Sequence, residues 1–121
     1  MATTFIEKEL RFESAHRLPN VPEGHKCARI HGHSFRVTVR VAGPVHPHLG
    51  WVVDFADITE AWAPLHDLLD HRYLNEVEGL DNPTSENLAR FIAERLVVPD
   101  ASRLVSVTVH ETCTSRCIYE L

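Results

Sequence analysis

Residues 31–41, His-Gly-His-Ser-Phe-Arg-Val-Thr-Val-Arg-Val, alternate with a period of two. That pattern restricts the stretch to a β-strand with one face buried. Phe35, Val37, Val39 and Val41 share the apolar face, and Ser34, Arg36, Thr38 and Arg40 the polar one. His31 and His33 fall on the apolar parity at the strand's beginning, so both imidazoles point to one side of the sheet. Residues 4–16 repeat the logic, with Ile6, Leu10 and Phe12 on even positions and Glu7, Glu9, Arg11 and Glu13 on odd ones. Lys8 interrupts the apolar side, at an end expected to fray. His16 closes this run on the apolar parity. In an antiparallel pair, the end of the first strand lies beside the start of the second. His16, His31 and His33 would then meet at one end of the sheet, on its buried face. A bulge in either strand would separate them.

Three converging neutral imidazoles suit Zn²⁺ and leave a fourth position for water or substrate, as a catalytic site requires. Iron and copper accept the same ligands. The alternative for His31 and His33 is a pair of strand-end residues hydrogen-bonded to the preceding loop. The chain has nine histidines, and parity is what singles out these.

Between the two strands, residues 17–30 hold Pro19, Pro22 and Gly24 and read as a long loop. Structureless loops beyond about 12 residues are usually functional or disordered. This one carries Cys27, flanked by Lys26 and Arg29 and four positions before His31. A thiol there is either a small buried hydrophobe or, given its polar and basic neighbours, a nucleophile or base.

Residues 43–50 form a turn region. Phe55, Ile58, Trp62, Leu65 and Leu69 then recur at helical spacing over residues 55–69, with Pro64 inside, where a kink or a break into two segments is expected. Thr84-Ser85-Glu86 starts a second helix, with Leu88, Phe91, Ile92 and Leu96 as its apolar stripe and Pro99 beyond its end. A third strand spans 103–111, its Val105/Val107/Val109 face closed by Glu111, and a short fourth spans 117–120. The order ββ, αα, ββ predicts an α+β layer, a four-stranded antiparallel sheet with two helices on one face. At 121 residues, with no internal linker, residues 1–121 are expected to form a single domain.

A net charge of −5 argues against nucleic acid or a membrane surface as main partner. No apolar run approaches the ~20 residues of a membrane span. Met1-Ala-Thr-Thr lacks the charged start of a signal peptide. Three cysteines without framework spacing fit a reducing compartment. The expected location is the cytoplasm. Cys113 and Cys117 lack the spacing of a zinc or redox pair. Asp70-His71 reads either as a helix end or as a couple, and adjacent residues on a helix do not share a face. Glu111 is either a structural ion-pair member or an anchor for a ligand.

Taken together, Phe12-Glu-Ser-Ala-His-Arg-Leu18, Gly24-His-Lys-Cys-Ala-Arg-Ile-His-Gly-His-Ser-Phe35, Gly50-Trp-Val-Val-Asp-Phe55, Leu69-Asp-His-Arg-Tyr-Leu-Asn75, Asn82-Pro-Thr-Ser-Glu86 and His110-Glu-Thr-Cys113 resemble the 6-pyruvoyl-tetrahydropterin synthase family, most closely its bacterial 6-carboxy branch. The resemblance covers nearly the whole chain. It implies the tunnelling fold, in which ββααββ subunits surround a barrel, and a homohexamer (a dimer of trimers) with active sites at subunit contacts. It places zinc on His16, His31 and His33, proton transfer on Cys27 and the Asp70–His71 couple, and the grip on the pterin ring on Glu111, with Thr84 and Ser85 near the same ring. The implied substrate is 7,8-dihydroneopterin triphosphate, for which Lys26 and Arg29 are candidate phosphate contacts. The implied product is 6-carboxy-tetrahydropterin, on the way to 7-deazapurines such as queuosine. The pyruvoyl branch, which eliminates triphosphate without breaking the carbon chain, is the nearest rival. A non-catalytic zinc- or pterin-binding module is the rival from another class.

Overall fold

The computed structural model describes residues 2–121. Strands β1 (Thr4–His16) and β2 (His31–Gly43) form a long antiparallel hairpin, followed by helix α1 (Phe55–Leu69), a two-residue strand β3 (Arg72–Tyr73) and helix α2 (Ser85–Arg95). Strands β4 (Arg103–His110) and β5 (Arg116–Glu120) complete the chain, and short 3-10 turns occupy Lys26–Ala28 and Leu74–Glu76. The sheet order is β3-β1-β2-β4-β5. The α+β class is therefore as expected, with one more strand than the four predicted. The added strand is β3, which pairs parallel to β1 over Ser14 and Ala15, where an otherwise antiparallel sheet was expected. Two residues are too few for any hydrophobic period to show in a sequence.

The inward face of the sheet and both helices share one core. Phe12 and Phe35 are cross-strand partners whose rings stack at 4.8 Å, and Trp62 of α1 tilts against Phe12 at 6.1 Å. From the helices, Ile58, Leu65, Leu69, Leu88 and Ile92 cover Val37, Val39, Val41, Val107 and Val109. On the outward face, Glu7–Arg40 (3.1 Å) and Glu9–Arg36 (2.7 Å) join β1 to β2, and Ser34 donates to Glu13 at 2.7 Å. Such exposed pairs contribute little stability each, but opposite charges across strands support one register over its neighbours. The expected Val105/Val107/Val109 row is broken. The β2–β4 register shifts between Arg40 and Val41, so that Leu104 faces Val41, Ser106 faces Arg40 and Val105 has no opposite residue. A bulge of this kind swaps parity locally, and it is Leu104 that packs on the core.

Asp54 caps α1 by accepting the Ala56 N–H at 2.9 Å, and Thr84 caps α2 by accepting the Asn87 N–H at 3.1 Å. Pro64 neither breaks nor ends α1, which runs unbroken through Leu69. The carbonyl that proline deprives of a partner belongs to Glu60, and both residues are exposed, so water can satisfy it. Pro64→Ala should therefore raise the urea midpoint. The gain should stay below about 3 kcal/mol, because proline also restricts the unfolded chain by roughly 0.4–1 kcal/mol. A lower midpoint would show that the proline stabilises the helix.

Candidate metal centre and active site

The register of the first hairpin brings the three histidines together. His16 pairs directly with His31, and His33 lies opposite Ser14, two places along the same ladder. Directly opposed residues of an antiparallel pair project to the same face, so all three rings converge. Their centroids are 4.6 Å (His16–His31), 5.1 Å (His16–His33) and 4.9 Å (His31–His33) apart. Phe35 lies edge-on to His16 and His33 at 5.5 and 5.3 Å, so the aromatic core forms the floor of the cluster.

Hydrogen bonds decide which nitrogen of each ring is free. His16 Nδ1 lies 2.8 Å from the Pro83 carbonyl, and His31 Nδ1 lies 2.7 Å from the Arg29 carbonyl. A carbonyl oxygen only accepts, so both Nδ1 atoms carry a proton, and in the neutral tautomer the lone pair of each ring lies on Nε2. His16 Nε2 is buried without a hydrogen-bond partner among the described residues. His33 Nε2 lies 3.2 Å from Glu111 Oε1, near enough for electrostatic attraction, but it is not aligned to form a hydrogen bond. Burial is the main reason that the pKa values of His16 and His33 lie below the ordinary imidazole value; the nearby Glu111 charge opposes the shift in both. Neutral rings with unshared lone pairs, held by carbonyls behind them, are what a metal requires of histidine. The donor atoms of His16, His31, His33 and Glu111 all lie within 4.8 Å of one another, and this group can hold a metal ion. The orphaned Nε2 atoms fit the zinc that the resemblance implies.

Glu111, the first residue past β4, is fixed by Ser85, whose hydroxyl donates to Oε2 at 2.6 Å. Thr84, the other residue expected near the ring site, uses its side-chain oxygen to cap α2. Cys27 sits in the 3-10 turn of the long loop. Its N–H donates to His25 Nδ1 at 3.0 Å, and its carbonyl accepts from the Leu18 N–H at 2.8 Å. Arg17 Nε tethers the same turn through the Ala28 carbonyl at 3.2 Å. A cleft of about 530 Å³ is lined by Cys27, His31, His33 and Glu111, together with Lys26 and Arg29. Cys27, His31, His33 and Glu111 therefore border one space, with His16 fully buried next to His31 and His33.

Asp70 and His71 do form a couple. Asp70 lies in extended backbone just past α1, and His71 adopts a left-handed φ of +54°. This removes the helical geometry that would keep neighbouring side chains apart, and His71 Nδ1 reaches Asp70 Oδ2 at 2.6 Å. A non-glycine residue in that region costs on the order of 1–3 kcal/mol and persists only where its surroundings impose it. The Glu13 N–H on Asp70 Oδ1 is the largest influence holding the Asp70 carboxyl below its ordinary pKa, followed by His71. Neither Asp70 nor His71 borders the Cys27 cleft of its own chain, and the His71 side chain is 80% exposed. Cys113 is exposed, whereas Cys117 turns toward the core and burial raises its pKa. Sequence reasoning missed Pro83, the carbonyl behind His16, and Ser14. Only Ser14 left a signal, as a hydroxyl on the apolar parity of β1.

The sequence profile of 6-pyruvoyl tetrahydropterin synthase matches residues 5–121. The chain belongs to that family. Among its relatives is the 6-carboxy-5,6,7,8-tetrahydropterin synthase of Synechocystis sp., 45% identical, with 94% of this chain and 91% of the relative covered. The enzyme of the same name from Bacillus subtilis is 30% identical over 94% of this chain and 83% of its own. The solved structure of Caenorhabditis elegans 6-pyruvoyl tetrahydropterin synthase superposes with a TM-score of 0.88 at 30% identity, over 100% of this chain and 97% of that one. Apart from the added β3, the sheet and its two helices match the fold that the resemblance implied, and no described helix is long and apolar enough to cross a membrane.

The depressed imidazole pKa values carry a sign. Below about pH 6.5 the unfolded chain takes up protons that folded His16 and His33 resist. Stability of the metal-free protein is thus fully present above that value and lost as pH falls toward the folded pKa values. Its urea midpoint should drop on acidification from about pH 7.5 to about pH 5.5, and less steeply in His16→Gln. An equal slope in the variant would contradict the buried, neutral assignment.

Proposed function

We propose that the protein is a zinc-dependent 6-carboxy-5,6,7,8-tetrahydropterin synthase, acting on 7,8-dihydroneopterin triphosphate and one water to give 6-carboxy-tetrahydropterin, acetaldehyde and triphosphate for 7-deazapurine (queuosine-type) synthesis. The observation that carries this reading is the single cleft lined together by Cys27, His31, His33 and Glu111. The names of the relatives support it. The working unit in this reading is one tunnelling-fold domain over residues 1–121, acting in the cytoplasm.

His16, His31 and His33 would hold the metal, with the Pro83 and Arg29 carbonyls on Nδ1 of His16 and His31 leaving Nε2 of those two rings toward it. Bound zinc supplies Lewis acidity toward the substrate's side-chain oxygens. Glu111 accepts hydrogen bonds from the amino edge of the pterin, and the Ser85 hydroxyl keeps its carboxylate aimed. Lys26 and Arg29, at the cleft wall, offer positive charge to the triphosphate. Cys27 removes a proton from the substrate side chain as general base. His71, whose Nδ1–H is held by Asp70, exchanges protons at Nε2. Because the Asp70–His71 couple lies outside its own chain's cleft, it serves the cleft of a neighbouring subunit, in keeping with a homohexamer whose sites lie at subunit contacts.

The likeness to the C. elegans 6-pyruvoyl tetrahydropterin synthase structure favours a second reading, elimination of triphosphate without C–C cleavage. Product analysis on dihydroneopterin triphosphate separates the two. Acetaldehyde and carboxylated pterin should appear together. Triphosphate release without acetaldehyde would move the assignment to the pyruvoyl reaction, and no turnover by zinc-loaded protein would sink both. Cys27→Ala should keep its zinc yet lose about 10²–10⁴-fold in turnover. Near-normal turnover would make the thiol a packing residue.

A further inference from the structure

Two places before His16, Ser14 occupies the inward face of β1, buried and polar between Phe12 and His16 on the same row. Its hydroxyl makes two bonds at once. It donates to the Leu69 carbonyl and accepts from the Arg72 N–H at 3.1 Å. Those partners flank the Asp70–His71 couple on either side. The backbone of the preceding residue takes the couple itself, with the Glu13 N–H on Asp70 Oδ1 at 2.9 Å and the His71 N–H on the Glu13 carbonyl at 2.6 Å. Four successive residues, 69 to 72, are therefore hydrogen-bonded to the dipeptide Glu13–Ser14.

This clamp accounts for the backbone of His71. A φ of +54° is disfavoured for a side chain with a Cβ, and it persists only where the flanking chain is fixed on both sides. In that conformation the imidazole swings back onto Asp70. Released from it, the chain would relax to ordinary extended or helical angles, and adjacent side chains would diverge.

We propose that Ser14 is a positioning residue for His71: its hydroxyl pins both ends of the Leu69–Arg72 segment so that the imidazole is presented with Nδ1 on Asp70 and Nε2 outward. The inference rests on the catalytic reading of Asp70 and His71 given above. A single hydroxyl must donate on one side and accept on the other, so alanine removes both bonds, cysteine offers only a weak donor and acceptor, and threonine preserves them.

The test uses the zinc-loaded protein with Ser14→Ala, Ser14→Thr, His71→Ala and the Ser14→Ala/His71→Ala double variant. Zinc content, kcat and KM are measured for each, together with the ¹⁵N and proton signals of the His71 Nδ1–H. Ser14→Ala should keep its zinc and its KM, lose the hydrogen-bonded Nδ1–H signal, and fall by about 10²-fold in kcat. Ser14→Thr should restore both signal and turnover. In the His71→Ala background, Ser14→Ala should change kcat by less than about twofold, since residues acting as a unit are not additive. If Ser14→Ala does not fold, Ser14→Cys is read in its place with the same expectations. An unchanged His71 signal in either folded variant would overturn the clamp. An equal kcat loss with and without His71 would show that Ser14 acts elsewhere. Full turnover in His71→Ala would instead overturn the role of the couple, a failure that the imidazole signal distinguishes because it reads the clamp without reference to catalysis.

Discussion

The site depends on the pairing register between β1 and β2, in which His16 faces His31 and Ser14 faces His33. Side chains alternate faces along a strand, so a slip by one residue would send one strand's whole row to solvent. The same ladder that sets Phe12 on Phe35 in the core sets the imidazoles at its end. The driving force for the register is thus the apolar burial beneath Phe12, Phe35 and Trp62, with the Glu7–Arg40 and Glu9–Arg36 pairs opposing alternatives on the outer face. The chemistry uses little stabilisation of its own. Buried histidines with unpartnered Nε2 atoms are a destabilising arrangement, which the surrounding core offsets and a bound cation would relieve.

The end of β1 carries consequences in two directions. Inward, His16 is held by the Pro83 carbonyl just ahead of α2, so the start of α2 is tied to the histidine cluster through His16 and again through Ser85 on Glu111. Sideways, Glu13 and Ser14 hold the segment after α1, where His71 leaves helical geometry. Just beyond, the Arg17 amide and carbonyl bond to the Asn75 side chain, and its guanidinium reaches the turn that holds Cys27. One strand end therefore orders three pieces of chain that are distant in sequence, and a rigid scaffold of this kind is what proton transfer over short distances needs.

Much of this was legible in the residues because period-two alternation runs through both long strands, broken in the first only at Lys8, and parity alone brought His16, His31 and His33 to one point. The bulge feared in the hairpin lies instead between β2 and β4, where it removes Val105 from its row without touching the histidines. What escaped sequence reasoning was set by backbone angles and by carbonyls. The Asp70–His71 couple needs a positive φ that no composition announces. Pro83 contributes only its carbonyl, which any residue would have. Pro64 suggested a kink or a break, and the helix is not broken there, with Glu60 and Pro64 both exposed. The resemblance supplied the roles of Cys27, Asp70 and His71, which residue chemistry alone left open.

Glu111 stands at the point where two descriptions of the site divide. Its carboxylate lies 3.2 Å from His33 Nε2 and is grouped with the imidazole donors, yet Ser85 holds its other oxygen. As a fourth protein ligand it would close the metal and favour a binding module; as a pterin anchor it leaves a position for substrate. X-ray absorption at the zinc edge, on stoichiometrically loaded protein and on its Glu111→Gln variant, decides between them. Three imidazole nitrogens at about 2.0 Å, with zinc content and shell unchanged in Glu111→Gln, are expected for an open catalytic site. Loss of an oxygen ligand or of zinc in that variant, or a sulfur scatterer at about 2.3 Å from Cys27, would contradict it.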